Sequence, residues 1–554
     1  MKPFAGQYKE RPGNVKIIGH VVSPSSKVPT IFYIINILVA KLRVLLYYWC
    51  KMKSRVDFLM VYPHKDFQAY SQRVLLGILR EIGFSVHLLI IPTTSGIKND
   101  FRLKNYFLEM VDKSRIVGFG FMCIGYERVL YLTKLIKANF SKHVIWGGVH
   151  PTTNYRKMAG EADAIFVGES DITLPKYVDA ILNNKPFKHL PQIVTQSDFV
   201  PAQKDFFLDD LNKLPLPFYS RDGQTLISDQ IEDNPEYFRA HFGGLHVMTS
   251  RGCPYSCTYC ANSFLRNFIP KGAKYIRKRS AEHVIREIQH CRQIYRLTDI
   301  AIEDDLFLER KNEDLKNFIK KYNHELDLPV SITGISPSYL TSEKARIICD
   351  LPITSVRIGI QTMSENGLEV YGRESANRNI EKMLECVKIL LKKGVLVRYD
   401  IILDNPYETL ADNIKTLRLV SRFPKPYQMN LFHLVLHEGT KLRIKAIHDG
   451  LIDEKKSYDF NDLKDNYINA LFRLVKGASG LCPSAVITLL TSPLILNNLW
   501  LQKPIKVLVD TAIVILRRLS SEKVIRIFHR LISGKYSWAW FIRHRRNRGR
   551  SALL

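Results

Sequence analysis

The sequence predicts an α/β protein built in three main parts: a doubly wound parallel sheet over residues 56–190, an open (β/α)6 barrel over 244–446, and a helical, basic region over 447–554. Three observations predict this. Short apolar runs alternate with helical segments in two separate blocks, the pattern of parallel strands covered by helices. A stretch without clear periodicity, 191–243, rich in Pro, Asp and Phe, lies between the blocks and reads as a connector. Finally, 554 residues exceed what one hydrophobic core organises, so two or three domains are expected.

Residues 1–55 form an N-terminal extension. Its segment 29–50 is almost wholly apolar, but Lys41 and Arg43 interrupt it near the middle, which argues against a bilayer span. Asn36, Ala40, Arg43 and Tyr47 fall at i, i+4, i+7 and i+11, a narrow stripe that breaks the apolar surface. Two readings stay open: an amphipathic helix lying in a membrane interface, or a helix packed on the protein's own surface.

In the first block, residues 56–62, 85–91, 115–121, 143–148 and 163–168 read as buried strands, with a helix over 70–82 stopped by Gly83. Glycines gather at the carboxyl ends of these strands: Gly118 and Gly120, Gly147 and Gly148, then Gly168. Sheets of this kind bind ligands at that edge, and glycine lets the backbone approach a ligand closely.

In the second block, strands are expected near 245–250, 298–302, 329–334, 354–360, 395–403 and 428–434, with helices that include 281–295, 313–323, 342–349 and 380–393. Barrels of such units carry their chemistry at the carboxyl ends of the strands. Glu303, Asp304 and Asp305 follow the second strand, Ser336 the third and Gln361 the fourth. Carboxylates there can accept hydrogen bonds from an ammonium group, and an amide both donates and accepts.

After the first barrel strand comes Arg251-Gly252-Cys253-Pro254-Tyr255-Ser256-Cys257-Thr258-Tyr259-Cys260. A zinc ribbon needs paired C-x-x-C elements or distant histidines, and C-x-x-x-C-x-x-C is neither. Thiolates hold iron–sulfur clusters, and a four-iron cluster takes four of them. Three leave one iron open, and an open position marks a catalytic rather than a structural metal site. Cys50, Cys123, Cys291, Cys349, Cys386 and Cys482 are scattered singly and read as small core residues, so no disulfide frame is expected and the compartment is reducing.

The cysteine loop, with an aromatic before its last cysteine, resembles the signature of the radical SAM superfamily. The resemblance implies a [4Fe–4S] cluster on Cys253, Cys257 and Cys260, with the amino and carboxylate groups of S-adenosylmethionine on its open iron, in a partial TIM barrel. It further implies S-adenosylmethionine contacts from Tyr259, Glu303, Asp304, Asp305 and Ser336. Arg357-Ile358-Gly359-Ile360-Gln361-Thr362 resembles the family's GxQS/GxES segment, which places Gln361 at the ribose. Tyr371-Gly372-Arg373 resembles the arginine that follows that segment, so Arg373 reaches the carboxylate or else pairs with a surface acid. In the family's IxGxPxET stretch this chain has Asp404 where glycine is usual and a bulky Tyr407, with Glu408 and Thr409 opening the next helix. The run from His433 through Leu436, His437, Glu438, Gly439 and Thr440 resembles pxPGT, its histidines reading as core or loop groups.

Upstream, Trp146-Gly147-Gly148-Val149-His150-Pro151-Thr152 and Val167-Gly168-Glu169-Ser170-Asp171 resemble the Rossmann-like cobalamin-binding domain that precedes the barrel in one large radical SAM class. Leu214-Pro215-Leu216-Pro217-Phe218 resembles the LPxP link between the two. This implies cobalamin contacts from Gly118, Gly120, Gly147, Gly148, His150, Pro151, Thr152, Gly168 and Glu169. No Asp-x-His-x-x-Gly follows the first strand, where Pro63-His64-Lys65-Asp66 stands, so the resemblance does not extend to a histidine beneath cobalt. His64 and His150 read as hydrogen-bonded loop residues, and a scaffold without cofactor is the alternative.

The chemistry so implied is one-electron cleavage of S-adenosylmethionine, fed by a donor such as flavodoxin or ferredoxin. Hydrogen abstraction from an unactivated carbon follows, then methyl transfer from cobalamin. Ring formation or rearrangement without methyl transfer is the alternative on the same architecture. Modification of tRNA is a second alternative, although methylthiolating relatives carry three further cysteines in the first domain, where this chain has Cys123 alone. A non-catalytic cluster protein comes last.

The formal charge of +28 favours an anionic partner. Arg543, Arg545, Arg546, Arg548 and Arg550 follow Trp538, Trp540, Phe541 and Ile542, which reads as an interfacial anchor for anionic lipid ahead of a nucleic-acid contact. Apolar runs at 485–490, 494–499 and 505–516 are too short, or too broken by Pro493 and Asn497-Asn498, to span a bilayer; they suit a lid or a membrane-docking surface. The start, Met1-Lys2-Pro3-Phe4, lacks the features of a secretory signal. The expectation is a cytoplasmic protein in peripheral contact with the inner face of the membrane, acting on a small-molecule or lipid-like apolar substrate.

Overall fold

Two parallel sheets carry the fold, one from each alternating block. The computed structural model describes residues 55–196, 198–453, 463–478 and 480–519. The apolar segment 29–50 and the basic run 543–550 lie outside them. The first sheet contains β1 (Val56–Tyr62), β2 (Val86–Ile90), β3 (Ser114–Gly120), β4 (His143–Gly147) and β5 (Ala164–Phe166). The stretch expected to be an irregular connector adds three more: β6 (Ile193–Val194), β7 (Gln224–Ile227) and β8 (Ile231–Glu232). These strands run for only two to four residues, too short for any alternation to show in the sequence.

The order is β6-β5-β4-β3-β1-β2-β7-β8, parallel except for the outer pairs β5–β6 and β7–β8. The chain reverses its winding at β1, which lies between β2 and β3, so the crevice of the sheet opens beyond the carboxyl ends of β1 and β3. Residues 58–62 of β1 are buried throughout, as a strand covered on both faces must be, and this explains its unbroken apolar run.

The second sheet follows after a short ribbon. Its strands are β9 (Leu245–Val247), then β12 (Ile300–Ile302), β13 (Val330–Ile335), β14 (Ile353–Gln361), β15 (Leu396–Leu403) and β16 (Gln428–His433); between the first two, β10 (Ser250–Arg251) pairs antiparallel with β11 (Arg277–Lys278). The six strands run parallel in the order β16-β15-β14-β13-β12-β9. Its two end strands do not pair, which leaves the barrel open. The helices begin where the sequence places their caps: the Ser280 hydroxyl accepts from the His283 N–H, and Thr409 forms a capping box with Asp412.

One contiguous core runs from Phe58, Met60 and Leu88 of the first sheet, through Phe218, Tyr219 and Phe242, to Val284, Ile288 and Ile300 of the barrel. Buried charge in this junction is held by hydrogen bonds or an ion pair. Arg73 donates to the carbonyls of Phe67, Gln68 and Phe218 and to the Gln224 side chain. Glu287, fully buried, holds Arg279 at 2.6 Å and the Tyr219 hydroxyl at 2.9 Å. The carboxyl edge of the first sheet is thereby fixed against the barrel mouth.

Beyond the barrel, Leu471, Phe472 and Val475 of the helix Tyr467–Gly477 are buried, as are Val509 and Ile513 of the helix Leu499–Leu519 that packs along it. Among the described residues no helix is long and apolar enough to cross a membrane.

Candidate active site

The cysteine loop leaves β10 through Gly252, whose φ of +93° and lack of a side chain are both needed: a Cβ there would lie 2.5 Å from the Tyr275 carbonyl oxygen. Thr258 ties the loop down. Its N–H donates to the Tyr371 carbonyl at 3.0 Å, its hydroxyl to the Val370 carbonyl at 2.6 Å, and its own carbonyl accepts from Leu442. Arg266 donates to the Cys253 carbonyl and to Ser256. Cys257 is buried, whereas Cys253 and Cys260 are half-buried. Burial pushes the Cys253 thiol up to about 11 and the Cys260 thiol up to about 12, and the neighbouring cysteines add to both.

Among the described residues no three His, Cys, Asp or Glu side chains stand close enough to share one metal ion. A four-iron cluster asks for a different arrangement, since each thiolate binds a different iron and the sulfurs stand apart around a common body. Three adjacent thiols on one pinned loop at the barrel mouth fit that demand.

The acidic triplet after β12 divides into two roles. Asp304 is buried and its oxygens are already taken, by the N–H groups and hydroxyls of Thr249 and Ser250 and by Arg310 at 3.2 Å. It is therefore a brace for the cysteine loop and not an S-adenosylmethionine ligand. Asp305 accepts from Gly252 N–H at 3.2 Å and Asn262 at 2.7 Å, again supporting the loop; burial holds its carboxyl above the usual range. Glu303 remains. It lines the barrel lumen, beside Thr333 at 3.0 Å and His246 at 3.9 Å.

Ser336 is buried and donates to the Ala376 carbonyl at 2.8 Å, within 3.5 Å of Tyr255 on the loop, which makes it a fastening of the strand end. Gln361 closes β14 in the left-handed region, with φ of 67°. Arg373 is not at the surface. It is buried and donates to the Gly359 carbonyl at 2.7 Å, Asn377 at 3.1 Å, the Tyr259 hydroxyl at 3.3 Å and the Cys257 sulfur at 3.5 Å. The alternative of a surface ion pair for Arg373 is excluded. Glu408 does not open a helix either; Thr409 does, while Glu408 turns inward to Thr362 and Ser364.

Asp404 directly follows β15. Its φ of 62° lies in the left-handed region, which accounts for the glycine usual there. The carboxylate makes use of the strain by accepting from His433 at 2.9 Å, Asn469 at 2.8 Å and the Lys464 N–H at 3.0 Å, so the helical tail is fastened to the barrel mouth.

At the first sheet's carboxyl edge the expected residues are brought together, but not all are free for a ligand. A Cβ on Gly118 would strike the Phe58 ring and one on Gly120 the Gln72 side chain, so both glycines serve internal packing. Glu169 is committed to Arg251 at 2.8 Å and to Arg277. Gly147 ends β4, and Gly148 takes φ of +99°, where a Cβ would lie 2.8 Å from the Phe121 backbone. His150, Pro151 and Thr152 are buried in the first turn of the helix Val149–Met158; the Thr152 hydroxyl bridges the Gly148 carbonyl and the Gly168 N–H. His64 accepts from the Met122 N–H at 3.3 Å, and burial lowers its pKa to about 4, as it does for His150. Met122, Ile124 and Val149 stay exposed, at 51%, 56% and 39%, an apolar rim on which a flat macrocycle fits.

Sequence reasoning missed the groups that join this edge to the barrel. Arg251 pairs with Asp171 at 2.6 Å, Lys157 with Glu438 at 3.3 Å, and Cys123 lies 3.7 Å from His437. Only Arg251 carried a signal, as the residue before the Gly-Cys of the loop.

The sequence model of the Radical SAM superfamily matches residues 247–420. The barrel is a radical SAM domain. An uncharacterized methyltransferase of Pyrococcus horikoshii is 24% identical over 331 residues, 58% of this chain and 67% of that relative. A putative methylthiotransferase of Methanocaldococcus jannaschii is 24% identical over 376 residues, 66% of this chain and 75% of the relative. Among solved structures, the radical S-adenosylmethionine methyltransferase TsrM of Kitasatospora setae, with cobalamin and a [4Fe–4S] cluster bound, superposes with a TM-score of 0.55 at 17% identity, covering 71% of this chain and 75% of TsrM. The cobalamin-dependent radical enzyme OxsB, with aqua-cobalamin bound, gives 0.53 at 13% identity over 86% of this chain and 75% of OxsB. Both likenesses concern the fold. Residues 247–420 form a radical SAM domain, and such a domain uses a [4Fe–4S] cluster and S-adenosylmethionine.

Proposed function

We propose that this radical SAM enzyme is a cobalamin-dependent methyltransferase acting on an unactivated carbon. The observation that carries the reading is the placement of the first sheet's carboxyl edge against the cysteine loop, through Arg251, Glu169 and Asp171. When bound, the cluster with S-adenosylmethionine supplies a carbon-centred radical, and cobalamin supplies a methyl group. The chain's part is to hold these in register. Cys253, Cys257 and Cys260 hold the cluster, Arg373 donates towards the Cys257 sulfur, and Glu303 offers its carboxylate to an ammonium group at the lumen wall. Gly147, Gly148, Met122, Ile124 and Val149 form the surface for the corrin. A small one-electron carrier of the flavodoxin or ferredoxin type supplies the reducing equivalent. Methyl transfer is preferred to methylthiolation because the first domain offers Cys123 alone between residues 56 and 192. The test is protein purified without oxygen, reconstituted and loaded with hydroxocobalamin. Retained corrin absorption, with S-adenosylhomocysteine and 5′-deoxyadenosine both formed under reduction, supports the reading; 5′-deoxyadenosine without either corrin or S-adenosylhomocysteine refutes it in favour of cyclisation or oxidation.

A peripheral membrane contact belongs to the same proposal. Trp500, Val507, Leu508 and Ile515 recur along one side of the helix Leu499–Leu519 and stand 70%, 65%, 69% and 52% exposed, beside the exposed Leu489 and Leu494. Such a patch, followed in sequence by a polybasic stretch, suits an anionic lipid surface. Co-sedimentation with phosphatidylserine vesicles, lost on Trp500→Asp with Leu508→Asp, is the expected result; no sedimentation above that with neutral vesicles contradicts it.

A further inference from the structure

Barrel interiors are ordinarily filled by layers of Val, Ile and Leu. This one is hollow and charged. A cavity of about 580 Å³ occupies the lumen, and its lining along β13 to β16 includes Thr333, Ser355, Arg357, Arg398 and Asn430, with the ring of Phe432. Asp299 and Glu303 stand at the two ends of β12, whereas Arg357, Arg398 and Lys476 line the wall formed by β14, β15 and the tail helix. Nothing here resembles the chamber that a wholly apolar substrate would need.

Arg357 is set up as a receptor. Its Nε donates to both Asp400 oxygens, at 2.8 and 2.6 Å, and Asn430 holds that carboxylate from the far side at 2.9 Å. The Phe432 ring lies 5.3 Å from the guanidinium carbon. With the Nε edge fixed and one face covered, the guanidinium has a defined orientation. Among the described residues no acceptor lies within hydrogen-bond reach of its Nη1 or Nη2, although the side chain is 37% exposed in a cavity wall. A planar pair of donors held in this way matches the two oxygens of a carboxylate or phosphate.

We propose that the substrate carries an oxyanion, and that Arg357 binds it in the lumen while the carbon to be modified points up towards Glu303 and the cluster loop. The proposal rests on the reading of the barrel as the reaction chamber. It replaces the apolar substrate expected from the termini with an anionic or amphipathic one.

The test reads Arg357 directly. The full-length protein is treated with phenylglyoxal, without reductant, and adduct formation at Arg357 and at the exposed Arg102 is followed by peptide mass spectrometry. Sodium acetate and inorganic phosphate are each compared with sodium chloride at equal ionic strength. The expected result is that one of the two slows modification of Arg357 at least threefold and leaves Arg102 unchanged; acetate as the protector indicates a carboxylate substrate, phosphate a phosphorylated one. Equal effects at the two arginines, no protection, or an Arg357 that never reacts overturns the proposal. Formation of 5′-deoxyadenosine by the same preparation reports separately on the radical chemistry, so failure of the site and failure of the functional reading are distinguishable.

Discussion

Arg251 donates to both oxygens of Asp171, at 2.6 and 3.1 Å, and so ties the residue that opens the cysteine loop to the loop after β5 of the first sheet. The pair stands beside the contacts of Arg251 and Arg277 to Glu169, which link the same two parts of the fold. Burial pushes the Asp171 carboxyl up, but the arginine more than offsets this and holds it below the usual carboxylate range.

Removing Asp171 leaves Arg251 with Glu169 as its one remaining carboxylate. Asp171→Ala is expected to destabilise the protein by about 2 kcal/mol, the size of a lost charged hydrogen bond, seen as a lower Tm and as weaker retention of hydroxocobalamin. Arg251→Gln should be no worse in combination with it than alone. Additive losses in that double-mutant cycle would show that the two residues act separately.

Cluster assembly should depend on pH in one direction. Thiolates, not thiols, bind iron, and burial places Cys253 near 11 and Cys260 near 12, so protons compete with metal throughout the neutral range. Reconstitution at fixed iron and sulfide is expected to run faster at pH 8.5 than at pH 7.0, with proton release. A rate flat between these values would mean that the thiols are already ionised.

Arg373 reaches the Cys257 sulfur, the Tyr259 hydroxyl and the Gly359 carbonyl at once, which a lysine cannot do. Arg373→Lys should keep the iron–sulfur absorption and lose at least tenfold in 5′-deoxyadenosine formation, about 1.4 kcal/mol in the barrier. An unchanged rate would reduce Arg373 to a packing residue.

The fold was largely readable because both sheets rest on long-range alternation of apolar strands and amphipathic helices, which survives ±1–2 residues of error at the ends. The cluster loop was readable because its three cysteines are local. The two-residue strand β6 was hidden, since its pairing with β5 is decided by tertiary contact. So were Asp171 and Asp400, whose partners lie 80 and 43 residues away and leave no local pattern. The family resemblance implies ligand roles for Asp304 and Arg373; burial with full internal hydrogen bonding makes Asp304 a brace, while Arg373 lies buried beside the Cys257 sulfur.

Asp404 offers a test of strain against function. Asp404→Gly should preserve the left-handed backbone and lose only the contacts to His433, Asn469 and Lys464, whereas Asp404→Ala keeps the strain and loses the same contacts. Alanine is expected to cost about 1 kcal/mol more than glycine. Equal stabilities in denaturant titrations would remove the conformational argument.

Acid should unfold the protein early. Burial lowers His64, His150 and His283 to about 4, so the unfolded chain binds protons that the folded chain does not between that value and 6.5. Stability is present above pH 6.5 and is lost as pH falls towards 4, with a slope of at most about 1.4 kcal/mol per pH unit for each histidine. A Tm constant from pH 7 to 5 would contradict this.

The most direct measurement is 5′-deoxyadenosine formation from S-adenosylmethionine by the anaerobically reconstituted, reduced protein, with Cys257→Ala in parallel. The account predicts 5′-deoxyadenosine from the parent chain and none from the variant. No product from a parent chain that holds a full cluster, or equal product from both proteins, would contradict the assignment of Cys253, Cys257 and Cys260 as the centre of the chemistry.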